Sequence, residues 1–186
     1  SFLYAPIVVM IALSFNASNS RATWGGFTFD WYVKLFQKAD IMQALYVTVA
    51  IAVIATLVAT VLGTLAAIGI HAMKSRPAAA IMSISYLPMS TPDIVTGVSL
   101  MLMFVFINVP LGFWTMLLAH IAFDTPYVLY SVMPKLKQMN VNTYEAALDL
   151  GCPPLKAVRK VILPEIMPGV VTGALLSFTM SLDDFV

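Results

Sequence analysis

The chain has 186 residues, of which 60% are hydrophobic and only 10% are charged, and its mean hydropathy is +0.90. A soluble domain usually carries about 25% charged residues, because its water-facing surface needs polar side chains. This composition excludes an ordinary soluble domain and indicates a membrane protein. The net charge of +1 gives no reason to expect a nucleic-acid partner, and the single cysteine, Cys152, excludes an internal disulfide.

Apolar segments long enough to cross a membrane recur along the chain. A membrane helix needs about 20 apolar residues, and residues 41–73, 94–123 and 166–182 contain no Asp, Glu, Lys or Arg. Extending these segments outward predicts one transmembrane domain over residues 1–186 with five spans: 1–15, 43–70, 78–108, 112–134 and 166–186. The first and last spans are expected to be truncated, since the chain begins and ends inside apolar runs. The predicted fold class is an all-α, polytopic transmembrane helical bundle.

The third predicted span is too long for one straight crossing. Residues 78–108 would form a helix of about 46 Å at 1.5 Å per residue. Pro88 interrupts the span, and residues 90–93 (Ser-Thr-Pro-Asp) have the pattern of a helix start, with a hydroxyl cap, a proline in the first turn and then an acid. We therefore predict two half-helices that meet inside the membrane. Residues 124–126 (Asp-Thr-Pro) repeat the pattern in the fourth span, and such interruptions are typical of helices that line a cavity.

The basic residues indicate the orientation in the membrane. Seven of the ten Lys and Arg residues lie in the linkers 71–77 and 135–165, which face the same side by helix count. The positive-inside rule makes that side cytoplasmic. The linker 16–40 then faces outward, and it carries six aromatic residues: Trp24, Phe27, Phe29, Trp31, Tyr32 and Phe36. They predict an amphipathic strip at the membrane interface or, alternatively, a surface that docks a partner.

The cytoplasmic loop 135–165 has the signals of a helix–turn–helix. Asn142 can cap a first helix, and Glu145 completes an arrangement like a capping box. Gly151 can adopt the left-handed conformation that ends this helix, and Pro154 can open a second one. The second helix is expected to place three apolar residues on one face before two prolines turn the chain back into the membrane: Leu155, Val158 and Ile162, then Pro164 and Pro168. From these local signals alone, a surface hairpin without a partner is an equal alternative.

The same loop resembles a motif of a known family. Glu145, Ala146 and Ala147, then Gly151, then Ile162, Leu163 and Pro164, resemble the EAA loop of binding-protein-dependent ABC importer permeases. Within that family the chain most resembles the second permease of spermidine/putrescine importers, through residues 92–95 (Pro-Asp-Ile-Val), 111–114 (Leu-Gly-Phe-Trp) and 176–184 (Leu-Ser-Phe-Thr-Met-Ser-Leu-Asp-Asp). The pair Cys152-Pro153 departs from the small residues expected after the glycine.

The resemblance implies a type I ABC importer permease fold that lacks at least one further span. It also implies that the EAA-loop residues named above contact a separate ATPase, which binds the ATP and Mg²⁺. Further implied partners are a second, homologous permease subunit and a periplasmic or lipid-anchored substrate-binding protein, with the chain in the lipid bilayer of the inner membrane. The chain's own residues agree that it is not an enzyme, since we find no Gly-x-x-x-x-Gly-Lys loop, metal-ligand cluster or nucleophile–base set in the sequence.

Acidic residues inside the predicted spans are the candidates for a substrate pathway. An acid at the centre of a membrane helix costs about 2.5–3.5 kcal/mol on insertion scales. The four here are Asp93, Asp124, Asp183 and Asp184. The alternative for Asp93 and Asp124 is helix capping, and a buried structural hydrogen bond is the favoured role for the pair formed by Asp124 and His120. Asp183 lies roughly 25 Å along the last helix from Glu165, toward the outer half of the membrane, so we do not require it to share a site with Asp93.

Aromatic residues could complete such a pathway. A polyamine carries several positive charges along an apolar stem, and carboxylates and aromatic faces both attract cations. The candidate aromatic residues are Tyr86, Trp114, Tyr127 and Phe178. We therefore expect a polyamine substrate. An ABC permease for another small solute is the first alternative, and an ion-coupled secondary transporter is the second, although the EAA-like loop speaks against it because such a carrier engages no ATPase.

The predicted orientation can be tested by cysteine labelling. A cysteine at position 140 should react with a membrane-impermeant thiol reagent only from the cytoplasmic side, because it lies in the basic loop 135–165. Labelling from outside in intact cells would reverse the topology.

Overall fold

The computed structural model describes residues 4–18 and 23–183 and, of Val141, the backbone alone. In this part of the chain the regular secondary structure is helical apart from one isolated β-bridge between Asn16 and Phe27, and the all-α prediction is confirmed. The helices are α1 (Ala5–Ser14), α2 (Asp30–Gln37), α3 (Ala39–His71), α4 (Ser75–Ser90), α5 (Asp93–Phe106), α6 (Phe113–Gln138), α7 (Val141–Asp149), α8 (Pro154–Ala157) and α9 (Leu163–Asp183), with a π-turn (Val158–Ile162) between α8 and α9. The chain divides into two compact units between Val47 and Thr48.

In the first unit, Asn16 organises the segment between α1 and α2. Its side-chain oxygen accepts hydrogen bonds from the backbone N–H groups of Gly25 (2.7 Å) and Ser18 (3.2 Å), and its amide nitrogen donates to the carbonyl of Thr23 (2.7 Å). The indole N–H of Trp31 donates to the carbonyl of Asn16 (2.8 Å). Because Asn16 is only 2% exposed, these bonds are shielded from water and their loss would leave buried polar groups unpaired.

The predicted outer aromatic strip consists of exposed rings. Phe27 and Phe29 pack with the ring of Phe15 at centroid distances of 5.1 and 5.5 Å, and the Lys34 ammonium lies 5.0 Å from the centroid of the Trp31 ring. All six residues of the strip are exposed. Their assignment to the membrane interface stays a prediction.

In the described residues, three helices are long and apolar enough to cross a membrane: Ala39–His71, Phe113–Gln138 and the continuous stretch Pro154–Asp183. The bent pair of α4 and α5 would make a fourth span. Helix α1, which falls in the first predicted span, has ten residues, so the five-span arrangement stays a prediction.

The predicted break in the third span is confirmed, and it lies at Thr91 and Pro92. Helices α4 and α5 meet there at 105°. Thr91 is extended (φ −95°, ψ 148°), as the residue before a proline prefers. Two details of the prediction are wrong, since Pro88 lies inside α4 and neither Ser90 nor Thr91 caps α5. Their hydroxyls instead donate to the carbonyls of Leu87 and Pro88, which the end of α4 leaves without helical partners.

The predicted second interruption, at residues 124–126, is wrong. Helix α6 runs without a break from Phe113 to Gln138 and contains Pro126. The hydroxyl of Thr125 donates to the carbonyl of Ile121 (2.6 Å), a bond within the helix and not a cap. Pro126 and Asp124 are both buried, so tertiary packing holds this turn in the helical conformation despite its local signals.

Small residues let α6 lie very close to two neighbouring helices. A Cβ atom added at Gly63 of α3 would lie 2.7 Å from Cβ of Val128, and one added at Gly173 of α9 would lie 3.0 Å from Cα of the same valine. A Cβ at Gly169 would lie 2.9 Å from the carbonyl oxygen of Ser131. Such close approach gives the van der Waals contact that drives helix association in lipid.

The chain enters α9 through the π-turn and not through the predicted proline turn. The expectation that Pro164 and Pro168 turn the chain is wrong, because both lie inside α9. The N–H of Leu163 bonds to the carbonyl of Val158, five residues earlier. The wider turn accommodates Pro164, whose ring would clash with the carbonyl four residues back in a regular helix.

The π-turn also changes which residues of this segment are buried. Val158 is half-buried and Ile162 buried, as expected, but Leu155 is 83% exposed and Ala157 is fully buried in its place. Ala157 and Ile162 are five residues apart, which is the spacing of a π-turn. They continue the buried stripe of α9, whose further members are Ile166, Gly169, Gly173, Ser177 and Ser181.

The packing of α6 against α3 can be tested at two glycines of α3. Gly63→Ala should lower the thermal unfolding midpoint of the purified protein in detergent, because overpacking a close contact costs about 1–3 kcal/mol. Gly69→Ala is the matched control, since a Cβ there would meet no atom within 4 Å. It should leave the midpoint unchanged or raise it slightly. Equal midpoints for the two variants would contradict the packing.

Candidate functional site

Three of the predicted pathway acids line one cavity. Asp93, Asp124 and Asp183 come from α5, α6 and α9, and they surround a space of about 40 Å³, the carboxylate cavity. Among the described residues, Phe123, Tyr127 and Met180 also line it. Asp93 and Asp183, for which the sequence left open whether they share a site, thus line the same cavity. Counting residues along α9 gives depth along that helix only and says nothing about how the bend between α4 and α5 carries Asp93 toward it.

The position of each acid follows from its helix. Asp93 is the first residue of α5, directly after the break, where a carboxylate is favoured by the positive end of the helix. Asp124 lies in the middle of α6 and is 2% exposed. Asp183 is the last residue of α9. Asp184, the fourth predicted acid, lies outside the described residues.

The electrostatics of this arrangement favour a cation. Carboxylates that share a poorly hydrated space raise one another's free energy in the ionised form, and a positive group between them removes that cost. Within the described residues no group of three His, Cys, Asp or Glu side chains is close enough to hold a metal ion.

Of the four candidate aromatic residues, Tyr127 lines the carboxylate cavity, whereas Trp114 and Tyr86 lie elsewhere. Trp114 is 73% exposed and its ring packs edge-on against Phe113 at 5.5 Å. Tyr86 belongs to a second, larger space of about 640 Å³, the tyrosine cavity, formed by the end of α3, α4 and the end of α6. Its lining residues include Tyr86, Tyr130, His71, Lys137, Met82 and Met133.

Two other side chains near the acids were not among the pathway candidates predicted from the sequence. Met180 lines the carboxylate cavity one helical turn before Asp183. Phe123 was missed, although it directly precedes Asp124. The i, i+3 spacing of Met180 and Asp183 could have identified the methionine. His120, the predicted partner of Asp124, is buried, and its ring nitrogen Nδ1 bonds to the carbonyl of Met116 (2.9 Å).

The cytoplasmic loop contains the predicted first helix, α7, but with a different cap. The side chain of Asn140 accepts a hydrogen bond from the backbone N–H of Asn142 (3.1 Å), so the prediction that Asn142 is the cap is wrong. Asn142 lies inside α7, and Glu145 therefore does not occupy the capping-box position relative to it. The helix begins two residues earlier than predicted because the chain starts α7 directly after α6 ends.

The predicted role of Gly151 as a helix terminator is confirmed. Gly151 has φ +80°, its N–H bonds to the carbonyl of Leu148 (2.8 Å), and the N–H of Cys152 bonds to the carbonyl of Ala147 (3.0 Å). This pair of bonds defines a Schellman motif, which requires the left-handed conformation at the glycine. Helix α8 then begins at Pro154, as predicted.

The loop presents one face outward and anchors the other. Glu145 and Ala146 are exposed, whereas Tyr144 packs against the core between the ends of α3, α6 and α9. Leu150 and Leu155, on either side of the Gly151 turn, are 89% and 83% exposed. Leu150 was missed from the sequence, although its place beside the turn glycine is a usable signal.

The remaining EAA-motif residues differ in their surroundings. Ala147 and Leu163 are half-buried, and Pro164 is exposed. Ile162 is buried in the same core that holds Tyr144. The first part of the motif thus faces outward, and Ile162 belongs to its support.

Comparison with known sequences identifies the family. Residues 59–186 match the family described as "Binding-protein-dependent transport system inner membrane component". Over its whole length the chain is 40% identical to the spermidine/putrescine transport system permease protein PotC of Haemophilus influenzae and 38% identical to PotC of Escherichia coli K12, covering 72% and 70% of those proteins. It is 37% identical to the putrescine transport system permease protein PotI of Escherichia coli K12, of which it covers 69%.

A solved structure shares the fold. The crystal structure of a bacterial ABC transporter involved in the import of the acidic polysaccharide alginate contains a chain that superposes with a TM-score of 0.73 at 18% identity, over 98% of this chain and 68% of that one. At this identity the likeness shows a shared fold. Together with the full-length matches, it shows that this chain is a multi-pass, non-enzymatic transport subunit of the inner membrane and belongs to the family of binding-protein-dependent transport system inner membrane components.

Proposed function

We propose that this chain is one permease subunit of an ATP-driven polyamine importer and that the carboxylate cavity lies on the path of the cation. The observation that carries the proposal is the convergence of Asp93, Asp124 and Asp183 from three helices on one space. The names of the PotC and PotI relatives support spermidine or putrescine as the substrate class.

The carboxylates reduce the cost of moving a charged amine through the membrane. An ion that leaves water for a medium of low polarity loses several kcal/mol of hydration free energy. Carboxylate oxygens replace part of the lost water. A space of about 40 Å³ admits a few water-sized groups, since one such group takes about 10–15 Å³ on this measure. It is therefore sized for the amine end of the substrate and not for its whole length.

Coupling to ATP is proposed to take place at the cytoplasmic loop. The exposed side of α7, with Glu145 and Ala146, and the exposed leucines Leu150 and Leu155 form an outward surface suited to a groove on an ATPase subunit, which would bind the ATP and Mg²⁺. Tyr144 and Ile162 connect this surface to the core. A second permease subunit would complete the path, and a substrate-binding protein would deliver the amine from outside.

The role of the acids can be tested by removing single charges. Asp93→Asn keeps the shape and most of the capping ability of the side chain, so a capping role predicts a mild effect. A pathway role predicts a loss of polyamine uptake of about tenfold or more, equivalent to at least about 1.4 kcal/mol, with normal expression. Asp183→Asn should behave similarly. The effect of both substitutions is measured as the uptake of radiolabelled spermidine and putrescine into cells.

Asp40→Asn serves as the control for loss of one negative charge, because Asp40 is exposed in the first turn of α3 and lines neither cavity. Uptake by this variant should match that of the unmodified chain. The pathway proposal fails if Asn is tolerated singly at positions 93, 183 and 184.

The coupling role can be tested at Gly151. Gly151→Val should uncouple ATP hydrolysis from uptake without preventing membrane insertion, since a left-handed conformation costs a residue with a Cβ about 1–2 kcal/mol and a β-branched one more. Gly151→Asn should be milder, because asparagine tolerates that conformation. ATP hydrolysis and uptake measured together in proteoliposomes give the coupling ratio. Normal uptake by the valine variant would remove the turn from the mechanism.

A further inference from the structure

We propose that Tyr86 and Tyr130 form a second cation site, an aromatic one that receives the ammonium group from the carboxylate cavity before release into the cytoplasm. This inference rests on the proposed polyamine transport and adds a site to it. The two rings lie 5.8 Å apart in an edge-to-face arrangement and both line the tyrosine cavity.

The pair is held in place by α4 and α6. The hydroxyl of Tyr130 donates to the carbonyl of Met82 (2.6 Å), so this hydroxyl is engaged and the ring remains as the surface available to a ligand. Tyr86 is 53% exposed, and its ring therefore has an open face. An electron-rich aromatic face attracts an ammonium group, most strongly where water is scarce.

The carboxylate cavity and the tyrosine cavity are both lined by residues of α6 and of the bent pair α4–α5. Helix α6 carries Asp124 in the carboxylate cavity and Tyr130 in the tyrosine cavity, and the α4–α5 segment carries Asp93 and Tyr86 in the same way. Asp124 and Tyr130 are about 9 Å apart along the axis of α6, at 1.5 Å per residue. This separation is comparable to the length of an extended polyamine. One ammonium group could rest on the rings while another still lies between the carboxylates.

The two cavities differ greatly in volume. The carboxylate cavity has about 40 Å³, whereas the tyrosine cavity offers about 640 Å³. The remaining length of the substrate needs space nearby, and the tyrosine cavity provides it on the side predicted to be cytoplasmic.

The charge around the tyrosine cavity favours release. Of the described residues that line it, none is acidic, and His71 and Lys137 are among them. A cation therefore meets an attractive ring pair but no carboxylate, with an ammonium group of the protein close by. Binding of the cation to the rings is therefore expected to be weaker than binding between the carboxylates, which favours release.

Substitution of Tyr86 tests the aromatic site in the complete complex of permeases, ATPase and binding protein in proteoliposomes. Tyr86→Leu should lower the spermidine uptake rate about tenfold, whereas Tyr86→Phe, which keeps the ring, should retain most of it. Progressively fluorinated phenylalanines at position 86 should reduce uptake stepwise with each fluorine, because fluorine withdraws electrons from the ring face while the shape changes little. Tyr130→Phe removes only the bond to Met82 and should lower the unfolding midpoint more than the uptake rate.

Two results would overturn the proposal. One is normal uptake by Tyr86→Leu, and the other is an equal loss throughout the phenylalanine series regardless of fluorine content, which would indicate packing alone. Asp93→Asn, measured in parallel, separates this inference from the proposed function. Loss of uptake in Asp93→Asn with full activity in all Tyr86 variants would reject the aromatic site and leave the carboxylate path intact.

Discussion

The close approach of α6 to α3 and α9 is the constraint on which the rest of the second unit depends. Glycines at positions 63, 169 and 173 leave no room for a Cβ atom, so the backbones lie against side chains and carbonyls of α6. In lipid there is no hydrophobic drive to bring helices together, and this contact has to supply the attraction. The carboxylate cavity also depends on this contact, because Asp124 of α6 can share a cavity with Asp183 of α9 only if the two helices stay this close.

The same packing joins the cytoplasmic loop to the carboxylate cavity. The stretch Pro154–Asp183 is one continuous helical segment that starts just after the Gly151 turn and ends at an acid of the cavity. Its length is about 45 Å at 1.5 Å per residue. The π-turn keeps Ala157 on the buried stripe despite Pro164, so the segment is anchored to the core from its first turn. The loop and Asp183 thus lie at opposite ends of one helical segment.

Features governed by neighbouring residues were predictable from the sequence. Gly151 and the Thr91-Pro92 break follow from backbone conformations that a glycine permits and a proline imposes. Asn140 was missed in favour of Asn142 because two equivalent capping residues lie two positions apart, and only the end of α6 decides between them. The turn at residues 124–126 looked like a helix start but is held helical by burial.

The convergence of the acids was beyond local reasoning for a different reason. It depends on the 105° angle between α4 and α5, and a proline signals that a helix breaks without specifying the direction in which the chain continues. The placement of Tyr86 and Trp114 away from the acids has the same origin. Helix faces could be assigned from periodicity, but which faces meet is set by contacts between distant parts of the chain.

Val128 occupies a position between two helices that has a consequence for how this protein tolerates change. Atoms of this one side chain lie where a Cβ would project from Gly63 on one side and from Gly173 on the other. A movement of Val128 that relieves crowding by α3 therefore pushes it toward α9. Residues that share a partner in this way have non-additive effects on stability. Substitutions at positions 63, 128 and 173 are therefore expected to affect stability together and not independently.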